Sequence, residues 1–347
     1  MNGYAERLDA LWAAAVAPRA DDAPTVASCF AGMGGSLTGY LAAGYREVLA
    51  VEHDPHAAAC LRLNFGVDVH QGDIGDVRAA ALPIAPGELG LLDGSPPCQG
   101  FSTLGRRRAE DPRSRLFAEF VRLLTAWAPR AFVMENVPGL PRQFPGRFGE
   151  ICAALSGAGY VITAALVDAC AFGAATTRKR PIITGARADL MPAGAGLPAP
   201  SARPTTLRDA LRPPPAPVID APPLTERIRR LALLTEPGYD AADAMKLRGG
   251  RPAYFNLQRP AWDVPAWTIP ATVSPSRCGF LHPREQRLMS IGELMRIQGI
   301  PDGYRWPPMT SYAAAHHRIG NSVCPLLTEA LGAHLAPLAS GKVPVGA

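Results

Sequence analysis

Seven cysteines are scattered along the chain, and one of them stands apart by its neighbours. Cys98 lies in Gly94-Ser95-Pro96-Pro97-Cys98-Gln99-Gly100-Phe101-Ser102, directly after an apolar run. Two prolines stiffen the approach to the sulfur and Gly100 frees the exit. A lone cysteine is usually buried filler. One presented on a constrained loop at the end of a strand is a candidate nucleophile. Glu135-Asn136-Val137 ends another apolar run, which would bring a carboxylate to the same sheet edge. Arg178-Lys179-Arg180 opens a third, and arginines two apart on an extended segment point the same way. A charged strand edge would look identical. Thiol, acid and guanidinium are the groups that alkylation of a cytosine ring requires. A thiolate adding to carbon 6 makes carbon 5 nucleophilic, an acid stabilises the electrons pushed onto ring nitrogen 3, and a cation holds the carbonyl oxygen.

A second constellation precedes the first. Phe30-Ala31-Gly32-Met33-Gly34-Gly35 joins an apolar run to a helical pattern. Glycines allow a sharp turn and close approach of a ligand, and the helix start offers free N–H groups. The spacing is not that of the dinucleotide fingerprint, and a tight strand–helix turn would read the same way. Glu52 ends the next apolar run about twenty residues on, where an acid can accept two ribose hydroxyls. Asp73 lies in Gly72-Asp73-Ile74 and is placed to accept from an adenine amino group. No lysine-bearing phosphate cradle accompanies them, so a phosphate-free nucleoside such as S-adenosyl-L-methionine fits better than a dinucleotide.

The elements that must position these residues alternate. Strands are expected over 25–30, 46–52, 89–93, 131–135, 161–168 and 181–185, and helices over 55–65 and 114–128. That alternation predicts an α/β fold with a parallel sheet covered on both faces. Residues 8–17 read as an amphipathic helix. The stretch 191–223 holds ten prolines and cannot be regular helix or central strand. Residues 201–260 carry ten Arg/Lys against six Asp/Glu, either a solvated surface or one facing nucleic acid. Helical periodicity returns over 290–298 and 323–338. The expected division is a catalytic and cofactor-binding domain over 1–185, a target-recognition domain over 186–314, and a segment over 315–347 returning to the catalytic domain.

Composition narrows the class. With 347 residues the chain can bury a full core, and 48% hydrophobic with 19% charged residues is ordinary for a globular protein. A net charge of +5 tolerates a polyanionic partner without demanding one. No CxxC pair occurs, which argues against a zinc site and against a disulfide framework, so no metal is expected. Neither a signal peptide nor an apolar run of the ~20 residues needed for a membrane span is visible. A soluble, cytoplasmic protein without membrane contact is the expectation.

In order and spacing, these motifs resemble the cytosine-5 DNA methyltransferase family. The glycine loop is similar to its first motif, Glu52 and Asp73 to its next two ligand acids, Pro97-Cys98-Gln99 and Glu135-Asn136-Val137 to its two catalytic motifs. Thr176-Thr177-Arg178-Lys179-Arg180 resembles its Gln-x-Arg-x-Arg motif, with Thr176 in place of the glutamine. Trp267-Thr268-Ile269, Glu293, Arg296-Ile297-Gln298-Gly299 and Pro301-Asp302 resemble the segment after the recognition region, and Gly320-Asn321-Ser322-Val323 the final motif. The resemblance implies a Rossmann-like S-adenosylmethionine-dependent fold with a small target-recognition domain. It implies Cys98, Glu135, Arg178 and Arg180 as catalytic residues. Phe30, Gly32, Gly35, Glu52, His53, Asp73, Ile74, Pro97, Asn321 and Val323 become cofactor contacts. The partner implied is double-stranded DNA, touched by Gln99, Ser102, Arg106, Arg227, Arg230, Arg248 and Arg251, with the loop after Cys98 closing over a flipped base. The expected protein is a nucleoid-associated monomer, and a restriction–modification role beside a cognate restriction endonuclease, a phage-derived role and an orphan regulatory role all stay open. Rival readings are a tRNA cytosine-5 methyltransferase and a catalytically silent DNA-binding homologue.

Overall fold

The computed structural model describes residues 3–97, 112–250, 257–274 and 278–342, the side chains of 112–114 excepted. Helix α1 (Tyr4–Val16) is followed by β1 (Thr25–Cys29), α2 (Gly35–Ala42), β2 (Arg46–Glu52), α3 (Pro55–Phe65), β3 (Val69–Gln71), β4 (Leu91–Gly94), α4 (Pro112–Trp127) and β5 (Ala131–Glu135). Next come α5 (Gly139–Gln143), α6 (Pro145–Gly157), β6 (Tyr160–Asp168), β7 (Thr176–Thr177) and β8 (Lys179–Arg187). The remainder holds α7 (Leu207–Ala210), α8 (Glu226–Leu234), β9 (Tyr239–Asp240), α9 (Ala241–Lys246), β10 (Leu257–Arg259), β11 (Ala266–Trp267) and β12 (Gly279–Phe280). It closes with α10 (Ile291–Gln298), α11 (Tyr312–Asn321) and α12 (Pro325–Ala339).

Two compact units emerge, and the chain passes between them repeatedly. One comprises Ala13–Asp168, Lys179–Ala199 and Leu327–Ala347. Its sheet has the order β3-β2-β1-β4-β5-β8-β6. β1, β2, β3, β4 and β5 pair in parallel, as alternating strands and helices require. The parallel pattern is broken at β8, which runs antiparallel to both β5 and β6. Only residues 169–178 separate β6 from β8, fewer than the dozen or more a parallel crossover needs. The core beneath the sheet is built on edge-to-face rings: Phe120 on Phe132 at 6.3 Å and Phe132 on Tyr160 at 5.2 Å. Gly185 lacks a side chain because a Cβ there would lie 2.0 Å from the Phe132 ring.

Sequence signals for the element ends were specific. Asp54 caps α3 by accepting from Ala57 N, Pro55 occupies the first turn, and Gly66 leaves with φ 61. The expected strand over 89–93 is shorter, beginning at Leu91, because Gly90 N bonds instead to Thr25 Oγ1 at 2.9 Å.

The second unit comprises Met1–Trp12, Ala169–Arg178 and Pro200–Leu326. It contains a three-stranded sheet ordered β12-β10-β9 and the short pair β11-β7. Between residues 191 and 223 the only helix among the described residues is the four-residue α7, as proline density requires. Helix α10 opens with a reciprocal capping box between Ser290 and Glu293 and ends on Gly299 at φ 80. Among the described residues no helix is long and apolar enough to cross a membrane.

Candidate active site

In the seven-stranded unit, the chemistry-bearing residues collect at the carboxyl ends of the parallel strands. After β1 the chain turns through Phe30 at φ 56, Gly32 at φ 58 and Gly34 at φ 89, conformations that cost little only for glycine. A Cβ on Gly34 would lie 2.7 Å from the Phe65 ring and 2.9 Å from Leu61, so the loop rests directly on α3. Glu52, at the end of β2, takes Gly32 N on Oε2 and Asp54 N on Oε1, both at 2.7 Å. It therefore shapes the glycine loop, a role its sequence position did not reveal. Gly35 begins α2, and His53 is exposed. After β3, Asp73 is exposed and caps a single turn by accepting from Gly75 N at 2.8 Å. Ile74 beneath it is buried, and its carbonyl accepts from Arg122 of α4 at 3.1 Å.

After β4 the chain leaves through Ser95, buried Pro96 and exposed Pro97. Cys98, Gln99, Ser102 and Arg106 lie outside the described residues, as does Arg251. In register beside this exit runs β5, with Gly94 opposite Met134. Glu135 at its end is 8% exposed, and Arg180 Nε lies 2.9 Å from Glu135 Oε1. The reversal of β8 explains this pairing: an antiparallel strand starts at the edge where its parallel neighbours finish. Asn136 Nδ2 donates to Pro96 O at 3.3 Å, tying the acid's strand to the proline exit. The motif Glu135-Asn136-Val137 drew attention to the carboxylate, and the amide beside it turns out to brace the neighbouring loop.

In the other unit, Arg178 is 3% exposed and donates through Nη1 to Gly320 O at 2.9 Å. Thr176, in the place of the family motif's glutamine, donates through Oγ1 to Trp267 O at 3.0 Å, and Thr268 Oγ1 donates to Thr177 O at 3.2 Å. Hydroxyl bonds thus fasten β7 to β11 on both sides. Asn321 is exposed at the end of α11, its Nδ2 3.0 Å from His317 Nε2, and Val323 is half-buried. On α8, Arg227 and Arg230 are exposed opposite buried Ile228 and Ala232, and Arg230 pairs with Glu226 at 3.0 Å. Arg248 is exposed after α9.

The family model described as C-5 cytosine-specific DNA methylase matches residues 25–336, nearly the whole chain. The chain belongs to the C-5 cytosine-specific DNA methylase family. It is 30% identical to the Type II methyltransferase M1.HphI of Haemophilus parahaemolyticus over 330 residues, 88% of this chain and 85% of that protein. Identity is also 30% to the Type II methyltransferase M.PspPI of a Psychrobacter species over 351 residues, 95% of this chain and 83% of the relative. A more local likeness, 36% over 167 residues, covers 46% of this chain and 40% of M.DdeI from Desulfomicrobium norvegicum. Among solved structures, a mutant of DNMT2 from Spodoptera frugiperda superposes with TM-score 0.67 at 16% identity, covering 90% of this chain and 99% of that one. The fold is thereby the Rossmann-like one of S-adenosylmethionine-dependent methyltransferases. Family and fold imply S-adenosylmethionine as methyl donor. The residues present fit it: a left-handed glycine turn open to close approach, two carboxylates as hydroxyl and amine acceptors, and no lysine beside them.

Proposed function

We propose that this member of the family transfers a methyl group to carbon 5 of cytosine in a specific sequence of double-stranded DNA, through covalent addition of Cys98 to carbon 6 of a flipped base. The observation that carries the reading is the registered pair of strand ends. The Pro96-Pro97 exit that follows β4 and leads into Cys98, and the Arg180-paired carboxylate of Glu135 at the end of the adjacent strand β5, are joined by the Asn136–Pro96 bond. Cys98 as thiolate forms the S–C6 bond, and the displaced electron pair moves onto ring nitrogen 3 and the carbonyl oxygen. Glu135 holds the proton at nitrogen 3, Arg180 orients that carboxylate, and Arg178 binds the carbonyl oxygen. S-adenosylmethionine supplies an electrophilic methyl when bound. Loss of the carbon-5 proton to a base and β-elimination then regenerate the thiolate. The attack comes from above the ring plane, so the base must leave the stack, at a cost of a few kcal/mol.

Phe30, Gly32, Gly35, Glu52, His53, Asp73, Ile74 and Pro97 would hold the cofactor, joined by Asn321 and Val323 of the final motif. Gln99, Ser102, Arg106, Arg227, Arg230, Arg248 and Arg251 would face DNA, with sequence recognition in 186–314, catalysis in 1–185 and the return segment in 315–347. We further propose a cytoplasmic, nucleoid-associated monomer, with a cognate restriction endonuclease as the partner to look for.

The test is methyl incorporation from labelled cofactor into duplex DNA and into tRNA, with methylated cytosines mapped by bisulfite sequencing. Cys98→Ser should abolish incorporation while calorimetry still detects S-adenosylmethionine. A Cys98→Ser protein methylating near the wild-type rate would end the covalent mechanism, and incorporation into tRNA alone would end the DNA assignment.

A further inference from the structure

Strand β4 is buried throughout, yet its sequence Leu-Leu-Asp-Gly places an acid among leucines. Asp93 is 4% exposed. Tyr40 Oη donates to Asp93 Oδ1 at 3.0 Å, and the Ser36 hydroxyl and Gly94 N bond to the same carboxylate. Ser36 and Tyr40 are one helical turn apart on α2, the helix that starts at Gly35 of the glycine loop. Asp93 itself precedes the Ser95-Pro96-Pro97 exit. On β1, Ser28 sits in register with Asp93; its N donates to Glu47 Oε1 at 3.1 Å and its hydroxyl lies 3.2 Å from Oε2.

A leucine at position 93 would fill this space without desolvating a charge. An acid there gains orientation instead. We propose that Asp93 is a positioning residue that clasps α2 to β4, holding the glycine loop and the strand leading to Cys98 in one fixed relation. The proposal rests on the reading of that loop as the cofactor site.

The groups facing Asp93 are Ser36 and Tyr40 from α2, Ser28 and Cys29 from β1, Glu47 from β2 and Glu135 from β5. Burial pushes the Cys29 thiol and the Glu47 carboxyl well up, and pushes Asp93 up to about 6. Asp93 thus titrates between acid and neutral pH. Ionised, it only accepts, and takes both hydroxyls of α2 in charge-assisted bonds. Protonated, it must itself donate through one oxygen, so one hydroxyl has to turn. A charge-assisted bond is about twice as strong as a neutral one, so cofactor affinity should fall about fivefold on protonation.

The experiment is calorimetric titration of the full chain with S-adenosylhomocysteine from pH 5 to pH 8, with circular dichroism confirming the fold at each pH. Wild type should bind about fivefold more weakly at pH 5 than at pH 8, and Asp93→Asn, which cannot ionise, should lose that difference. Tyr40→Phe removes one donor from the carboxylate, which raises its pKa, so the weakening should begin at higher pH. Asp93→Asn retaining the wild-type pH dependence overturns the clasp. If that variant does not fold, an unshifted profile in Tyr40→Phe overturns it equally. A wild-type chain binding no S-adenosylhomocysteine at any pH removes the cofactor reading and the clasp with it. A wild-type chain that binds S-adenosylhomocysteine equally well at pH 5 and pH 8 removes only the clasp.

Discussion

In Glu52 one carboxylate shapes the glycine loop and is also the proposed acceptor of the ribose hydroxyls. Its oxygens already accept Gly32 N and Asp54 N at 2.7 Å, and each keeps a second lone pair for a ribose hydroxyl. Glu52→Ala should therefore weaken S-adenosylhomocysteine binding roughly tenfold to a hundredfold, and should also lower Tm because two N–H donors lose their acceptor. Calorimetry paired with thermal melting checks both; unchanged affinity in a folded variant would count against the assignment. The type and place of this acid were legible in the sequence, twenty residues beyond the glycines at a strand end. Its hold on the loop was not, because it depends on how the chain turns back at Gly32. Asp93 was illegible for a related reason: an acid in an apolar run announces itself, but its partners Ser36 and Tyr40 sit on an element far upstream. Arg180 stood in the sequence as one of two arginines with equivalent outlook. Only the reversed direction of β8 brings it to Glu135.

At the scale of elements, long apolar or periodic segments were legible to the residue: β2, α3 and β5 have the bounds their patterns predict. The two- and three-residue strands β7 and β9–β12 were not, since two residues carry no period. Arg259 shows what such minimal strands need. It was one of ten basic residues in 201–260 open to a surface reading, but it is 2% exposed. Its guanidinium donates to Thr235 O at 2.7 Å, Ala232 O at 2.9 Å, Glu285 O at 3.1 Å and also to His282 O, pinning β10 to the end of α8 and to the 282–286 turn. Arg229 and Arg230 of α8, by contrast, stay at the surface and share Glu226. Arg259→Met should strip these carbonyls of their donor and cost on the order of 3 kcal/mol. Chemical denaturation would measure it, and hydrogen exchange should show the loss in α8 and β10 first. A midpoint equal to wild type would mean that the carbonyls find other donors.

Across the whole molecule, the two compact units carry buried groups of opposite acid response. Asp93, in the seven-stranded unit, is raised by burial to about 6. Its folded state holds a proton that the unfolded chain releases near pH 4, so its contribution is present in acid and lost as pH rises toward 6. His316, in the other unit, is fully buried near the Tyr312 ring, and burial first, then His317, lowers it to about 4. Its contribution is present above about pH 6.5 and is lost as pH falls toward 4. Acidification from pH 7 to pH 5 should therefore loosen α11 while sparing β1 and β4. Hydrogen exchange corrected for intrinsic rates would read this, and His316→Phe should abolish the loosening. Equal loss of protection in both units would refute it. The hydroxyl of Tyr45, just ahead of β2, donates to Gly332 O of α12 at 3.0 Å across 287 residues of chain. During synthesis, then, the early strands emerge long before the helix that completes their packing. The nascent sheet must wait with that flank bare until α12 has been made, so the synthesis of that helix, 287 residues after Tyr45, sets the moment at which this packing can close.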